Sequence, residues 1–123
     1  MRAELILVGK SSPGWLVDGV EEYLKRLKFM FPLIIKEIRS ENKLPKDLAM
    51  EREGKSILSQ IDPKSWVILL DEHGKLYSST ELAALLQSRM LQSAVPVCFV
   101  IGGAFGVSQE VQERADLVLS FSK

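Results

Sequence analysis

Apolar positions along the chain follow two rhythms. Five short runs are rich in Val, Ile, Leu or Phe: AELILVG (3–9), PLIIKEI (32–38), SWVILLD (65–71), PVCFVIG (96–102) and DLVLSF (116–121). Three of them are almost unbroken, the pattern of strands buried on both faces of a parallel sheet. Between the runs the spacing changes to three and four. Leu16, Val20, Tyr23, Leu24 and Leu27 predict a helix over 14–29, and Met50, Ile57, Leu58 and Ile61 predict another over 45–61, opened by Pro45. Gly54 sits inside that second stripe at a cost of about 1 kcal/mol relative to alanine.

A third helix announces its own start. SSTE (78–81) has the form of a capping box, in which the Ser78 hydroxyl accepts from the Glu81 amide and the Glu81 carboxylate reaches back. Leu82, Leu85, Leu86 and Met90 then share one face. A fourth, shorter helix follows Ser108, with Glu110 near the positive end of its dipole. Strand and helix alternate throughout. The pattern predicts an α/β fold: a mostly parallel five-stranded sheet, right-handed crossovers, and helices on both faces. RSENKLPKD (39–47), polar and proline-bearing, is the best candidate for a mobile loop.

Length and composition narrow the class. A chain of 123 residues, 46% hydrophobic and 26% charged, predicts one soluble globular domain over 1–123. Cys98 is the single cysteine, so no intrachain disulfide can form, which fits a reducing compartment. The apolar run at the N-terminus is too short for a secretory signal, and no stretch is long enough to span a bilayer. A cytoplasmic protein without a membrane partner is expected. Zero net charge argues against a nucleic-acid-coating protein. Yet residues 25–55 hold nine basic side chains against five acidic ones, which reads either as a solvated surface or as an RNA-facing patch.

Ligands in open α/β sheets sit beyond the carboxyl ends of the strands, which singles out LLDEHGK (69–75) and IGGAFGVS (101–108). The second is not a dinucleotide fingerprint, because Ile101 stands where that pattern needs glycine, and no Gly-Lys-Ser/Thr follows. What remains is a turn built on Gly102, Gly103 and Gly106 with no neighbouring lysine or arginine. Such a loop suits a ligand held by backbone and apolar walls, an adenosine or a methionine-like chain. Equally, the three glycines serve only a tight strand-to-helix turn. His73, beside Asp71 and Glu72, reads as a solvated loop residue, and no cluster has metal-ligand spacing. Cys98 reads as a small hydrophobe, Trp15 and Trp66 as apolar anchors, and Glu21 and Glu22 as helix-surface partners of Lys25 and Arg26.

Three segments taken together resemble a known family. ELILVGK…GWLVDGVEEYLKRL, VILLDEHGK with the serines and TELAALL after it, and CFVIGGAFGVSQEV…ADLVLSFSK are similar to the RlmH-type methyltransferases of the SPOUT class. The resemblance runs from residue 3 to the last residue. It implies an α/β fold with a trefoil knot near the C-terminus, a homodimer, and S-adenosylmethionine as cofactor. The implied reaction is methylation of N3 of a pseudouridine in large-subunit ribosomal RNA, so the large ribosomal subunit is the implied partner. The family holds its cofactor with three backbone-rich loops. Carried over, these begin at Leu70, at Gly102 with Gly103 and Gly106, and at Phe121, Ser122 and Lys123.

One departure accompanies the resemblance. In the family, LSFSK continues into a Met-Thr-Phe-Pro-His stretch and a helix ending Tyr-Arg-Ala, and this sequence stops at Lys123. The expectation is a shortened chain whose knot region is incomplete and whose cofactor pocket lacks a wall. No catalytic residue carries over, and no metal is implied. The alternative from another class is a non-catalytic α/β binding or interaction module that keeps the glycine loop.

Overall fold

The computed structural model describes residues 3–9, 33–41, 43–92, 96–102 and 106–121. Within them lie β1 (Ala3–Val8), β2 (Leu33–Ile38), α1 (Lys46–Gln60), β3 (Trp66–Tyr77), α2 (Ser79–Gln92), β4 (Val97–Ile101), α3 (Gln109–Arg114) and β5 (Leu117–Phe121). The strands form one sheet in the order β2-β1-β4-β3-β5, with every pairing parallel. Gly106 adds an isolated bridge position. All five residues of β4 are buried, as its central place requires. The helix predicted over 14–29 lies outside the described residues, as does Trp15.

Because successive side chains of a strand point to opposite faces, the apolar runs feed two cores at once. On one face Leu5, Ile68, Leu70, Phe99 and Ile101 pack beneath Leu82 and Leu86 of α2. On the other, Ile6, Val67, Leu69 and Val100 meet Ile57 of α1 and Val111 of α3. Helices therefore cover both faces, which is why the central strands read as continuous apolar runs.

The buried face of α1 differs from the predicted stripe. Ala49, Glu53, Gly54 and Ile57 are buried, while Met50 and Leu58 are only half-buried. The reason is Gly54. A Cβ there would stand 2.3 Å from Oγ and 3.0 Å from Cβ of Ser108, so the glycine lets α1 seat directly against the start of α3. Its loss of helix propensity is the cost of that close approach.

Both caps form as the sequence predicts. The Ser78 Oγ accepts from the Glu81 amide at 3.1 Å, and Glu81 Oε1 accepts from the Ser78 amide at 3.2 Å. Ser108 Oγ accepts from the Val111 amide at 3.4 Å. Segment 39–47 is better tied than its polarity suggests. The Glu41 amide donates to Glu53 Oε2 at 2.9 Å, the Leu44 amide donates to the Glu41 carbonyl at 3.0 Å, and helix begins at Lys46.

The largest revision concerns β3. The sequence suggests a strand that ends near Asp71, but β3 runs on to Tyr77. Leu70 and Lys75 both pair with Leu119 of β5, so residues 71–74 are set out of register as a bulge and the ladder then resumes. Gly74 makes this possible. A Cβ on it would stand 2.7–2.8 Å from the backbone N, Cα and C of Leu119. Polarity alone made DEHG resemble a terminal loop; pairing with β5 beyond it overrides that signal.

Candidate functional site

In a parallel sheet all carboxyl ends lie on one side, and here the strand order makes the relevant ends neighbours. Leu70 is paired with Ile101 across the β3–β4 ladder, and Gly102 follows at once. On the far side of β3, β5 reaches Phe121, which pairs with Tyr77. The starts of the three loops singled out by resemblance thus stand on three adjacent strands, β4, β3 and β5. Sequence order hides this, because β3 lies between β4 and β5 in space but before both in the chain.

The side chains at these tips are turned inward. Leu70, Ile101 and Leu119 all belong to the core beneath α2, with Ile101 and Leu119 fully buried. Leu70 therefore offers a ligand its main chain and not its side chain. Gly102 is buried too, and the space a Cβ would need is already taken: Val107 Cγ1 lies 2.6 Å away, and C and O of Gly106 lie 3.0 Å away. Its missing side chain thus serves the return of its own loop, the tight-turn role anticipated as one of two readings. Gly106 differs. Its φ of +86° is one that favours glycine, and nothing stands within 4 Å of where a Cβ would lie, so its backbone borders open space. Gly103, Ser122 and Lys123 lie outside the described residues, and of Phe121 only the backbone is described.

This set fits a flat, largely uncharged nucleoside. Main chain from two adjoining strand tips and an open glycine supply hydrogen-bonding groups, and the core behind them is apolar. It does not fit a phosphate. A cleft of about 500 Å³ between α1 and α3 is bordered by Asp47, Glu51, Glu110 and Glu113, whose charges repel anions.

The remaining candidates sort by burial and contact. Burial pushes the Cys98 thiol up to about 12, with Glu4 adding in the same direction, so it stays protonated in the core. Trp66 carries the Arg89 guanidinium 4.4 Å from its ring centre, a cation–π contact at the opposite end of the sheet from the tips. His73 lies within the β3 bulge. No group of three or more potential metal ligands occurs among the described residues. The basic excess of 25–55 rests on Lys25, Arg26 and Lys28, which lie outside the described residues. Within the rest of that segment Lys36 is paired with Glu4 and Lys55 with Glu51, each at 3.4 Å.

Comparison with known proteins agrees with this geometry. The family model described as "Predicted SPOUT methyltransferase" matches residues 1–123. This chain belongs to the SPOUT methyltransferase family. Proteins named Ribosomal RNA large subunit methyltransferase H from Streptococcus mutans and Syntrophotalea carbinolica are each 39% identical to it, over 98% and 100% of this chain and 80% of the relative. Their namesake from Carboxydothermus hydrogenoformans is also 39% identical, over 100% of this chain and 81% of its own length. As a SPOUT member the chain is a methyltransferase by descent. No helix among the described residues is long and apolar enough to cross a membrane.

The sequence reading missed Gly74. A glycine inside a strand-like pattern is the signal that would have found it, since such residues mark bulges or close backbone approach.

Proposed function

We propose that this protein is an S-adenosylmethionine-dependent methyltransferase of large-subunit ribosomal RNA, with N3 of a pseudouridine as the acceptor. The observation that carries the reading is the Leu70–Ile101 pairing, which sets the β3 tip beside Gly102 at one end of the sheet. Names of relatives spanning the whole chain support the substrate class.

Leu70, Gly102 and Gly106, with Gly103, Phe121, Ser122 and Lys123, are the residues proposed to hold the cofactor. When bound, S-adenosylmethionine supplies a methyl group activated by a sulfonium charge. Main chain at Leu70 and Gly102 would recognise the adenosine edge without a charged partner, and the packed core behind it keeps water from that side. The protein's chief contribution is alignment, because in-line approach of two held reactants removes much of the entropic barrier. A cytoplasmic homodimer goes with this reading. Exposed Leu76, Ile34 and Ile35 are large apolar side chains of the kind a partner subunit covers.

The test is transfer of a labelled methyl group from S-adenosylmethionine to large ribosomal subunits that lack the modification, followed by nucleoside analysis. Label recovered as an N3-methylated pseudouridine is the expected result. Calorimetric silence toward S-adenosylmethionine, with a folded protein and no label transferred, would overturn the proposal in favour of a non-catalytic binding module.

A further inference from the structure

We infer that the Asp71–Gly74 bulge of β3 is a built-in spacer that shapes the cofactor crevice, and that Gly74 is its positioning residue. The inference rests on the reading that S-adenosylmethionine lies at the tips of β3 and β4.

Three observations combine. β4 ends at Ile101, on the rung it shares with Leu70. β3 does not end there, but continues to Tyr77 in company with β5. Between these two stretches, residues 71–74 advance the chain without advancing the ladder, since Leu70 and Lys75 face the same residue, Leu119. The β3–β5 ribbon beyond Lys75 therefore stands past the end of β4, beside the Gly102 turn, and a crevice is bounded on both sides by backbone. Residues set out of register present main-chain groups that a regular ladder would consume, which suits a ligand recognised by backbone.

Gly74 holds this arrangement closed at its base. With the Leu119 backbone only 2.7–2.8 Å from a Cβ at this position, even alanine must push β5 away from β3. That shift moves the Leu119–Phe121 segment, the lead-in to the third proposed cofactor loop, relative to Leu70.

The register offers an unusually clean test. Deleting residues 71–75 joins Leu70 to Leu76, and Leu76 already pairs with Ser120, the residue after Leu119. The deletion thus restores a regular ladder in the native register. Calorimetric titration with S-adenosylmethionine is made on the full chain, the deletion and Gly74→Ala, with thermal unfolding of each alongside. The expected result is a deletion that unfolds cooperatively at a midpoint no lower than the parent's, yet binds at least tenfold more weakly. Gly74→Ala, titrated well below its own midpoint, is likewise expected to lose about tenfold in affinity. A purely structural bulge would lower the midpoint of Gly74→Ala and leave its affinity unchanged, and that outcome overturns the inference. So does a folded deletion that binds like the parent. If the deletion does not fold, Gly74→Ala alone decides. A parent chain that binds no cofactor removes the underlying reading itself, a result visible before any variant is compared.

Discussion

The carboxylate of Glu53, on the buried face of α1, accepts the backbone N–H of Glu41 at 2.9 Å. This bond fastens the segment after β2 to the helix it leads into. Close by, Ser40 Cβ lies 2.9 Å from where a Cβ of Gly9 would stand, so the carboxyl ends of β1 and β2 are braced together.

Replacing Glu53 by alanine leaves that N–H without its acceptor in a part-buried place. The expected loss is about 1–3 kcal/mol, and Glu53→Gln, which keeps an acceptor oxygen, loses less. Urea unfolding measures both, and hydrogen exchange at the Glu41 amide accelerates in the alanine variant ahead of global unfolding.

Arg114 closes the sheet at its other end. Its Nη2 donates to the carbonyls of Asp62, Pro63 and Ser65 at 3.3, 3.4 and 3.0 Å, and its Nη1 lies 3.4 Å from Asp116 Oδ2, which also accepts the Val67 amide at 2.8 Å. Lysine cannot reproduce this fork. Arg114→Lys is expected to lower stability by about 1–2 kcal/mol, each lost bond being worth about 1 kcal/mol net. Chemical denaturation at constant pH checks it.

The two described glycines of the candidate site should respond differently. At Gly102 an added methyl collides with Val107 Cγ1, so Gly102→Ala costs about 1–3 kcal/mol by overpacking. Val107→Ala relieves part of that cost, and a double-mutant cycle should return a coupling of about 0.5 kcal/mol or more. At Gly106 the cost is conformational, about 1–2 kcal/mol for alanine, and Gly106→Asn recovers some of it. Thermal unfolding of the set separates the two causes.

Cys98 gives a pH prediction. Its thiol is pushed from 9.0 up to about 12, chiefly by burial. Above pH 9 the unfolded chain releases this proton while the folded chain retains it. The Cys98 contribution is therefore constant below pH 9 and falls between pH 9 and 12, by at most about 1.4 kcal/mol per pH unit. Cys98→Ala should flatten that part of the stability profile. At pH 8 the native thiol should react with iodoacetamide only as fast as the protein unfolds.

Much of the fold was legible along the chain because its signals are local. Ser78 and Glu81 lie three apart and cap one another without help from any other element. Apolar runs such as VCFVI (97–101) need only their own composition to declare burial on both faces. Gly54 and Gly74 were legible only as oddities. Each is explained by a distant partner, Ser108 in one case and the Leu119 backbone in the other. The candidate site divides in the same way: Gly102 could be singled out from its motif, but whether its missing Cβ faces ligand or its own loop depends on where Val107 folds back.

By itself the sequence determined the class of architecture, the start of two helices and the family, because periodicity, capping and motif identity are properties of neighbours in the chain. Tertiary structure alone decided that β3 lies between β4 and β5, that Leu70 and Ile101 share a rung, and that residues 71–74 leave the ladder. Those facts follow from which strands pair, and pairing is settled by the burial of two faces at once, a global condition that no window of neighbouring residues contains.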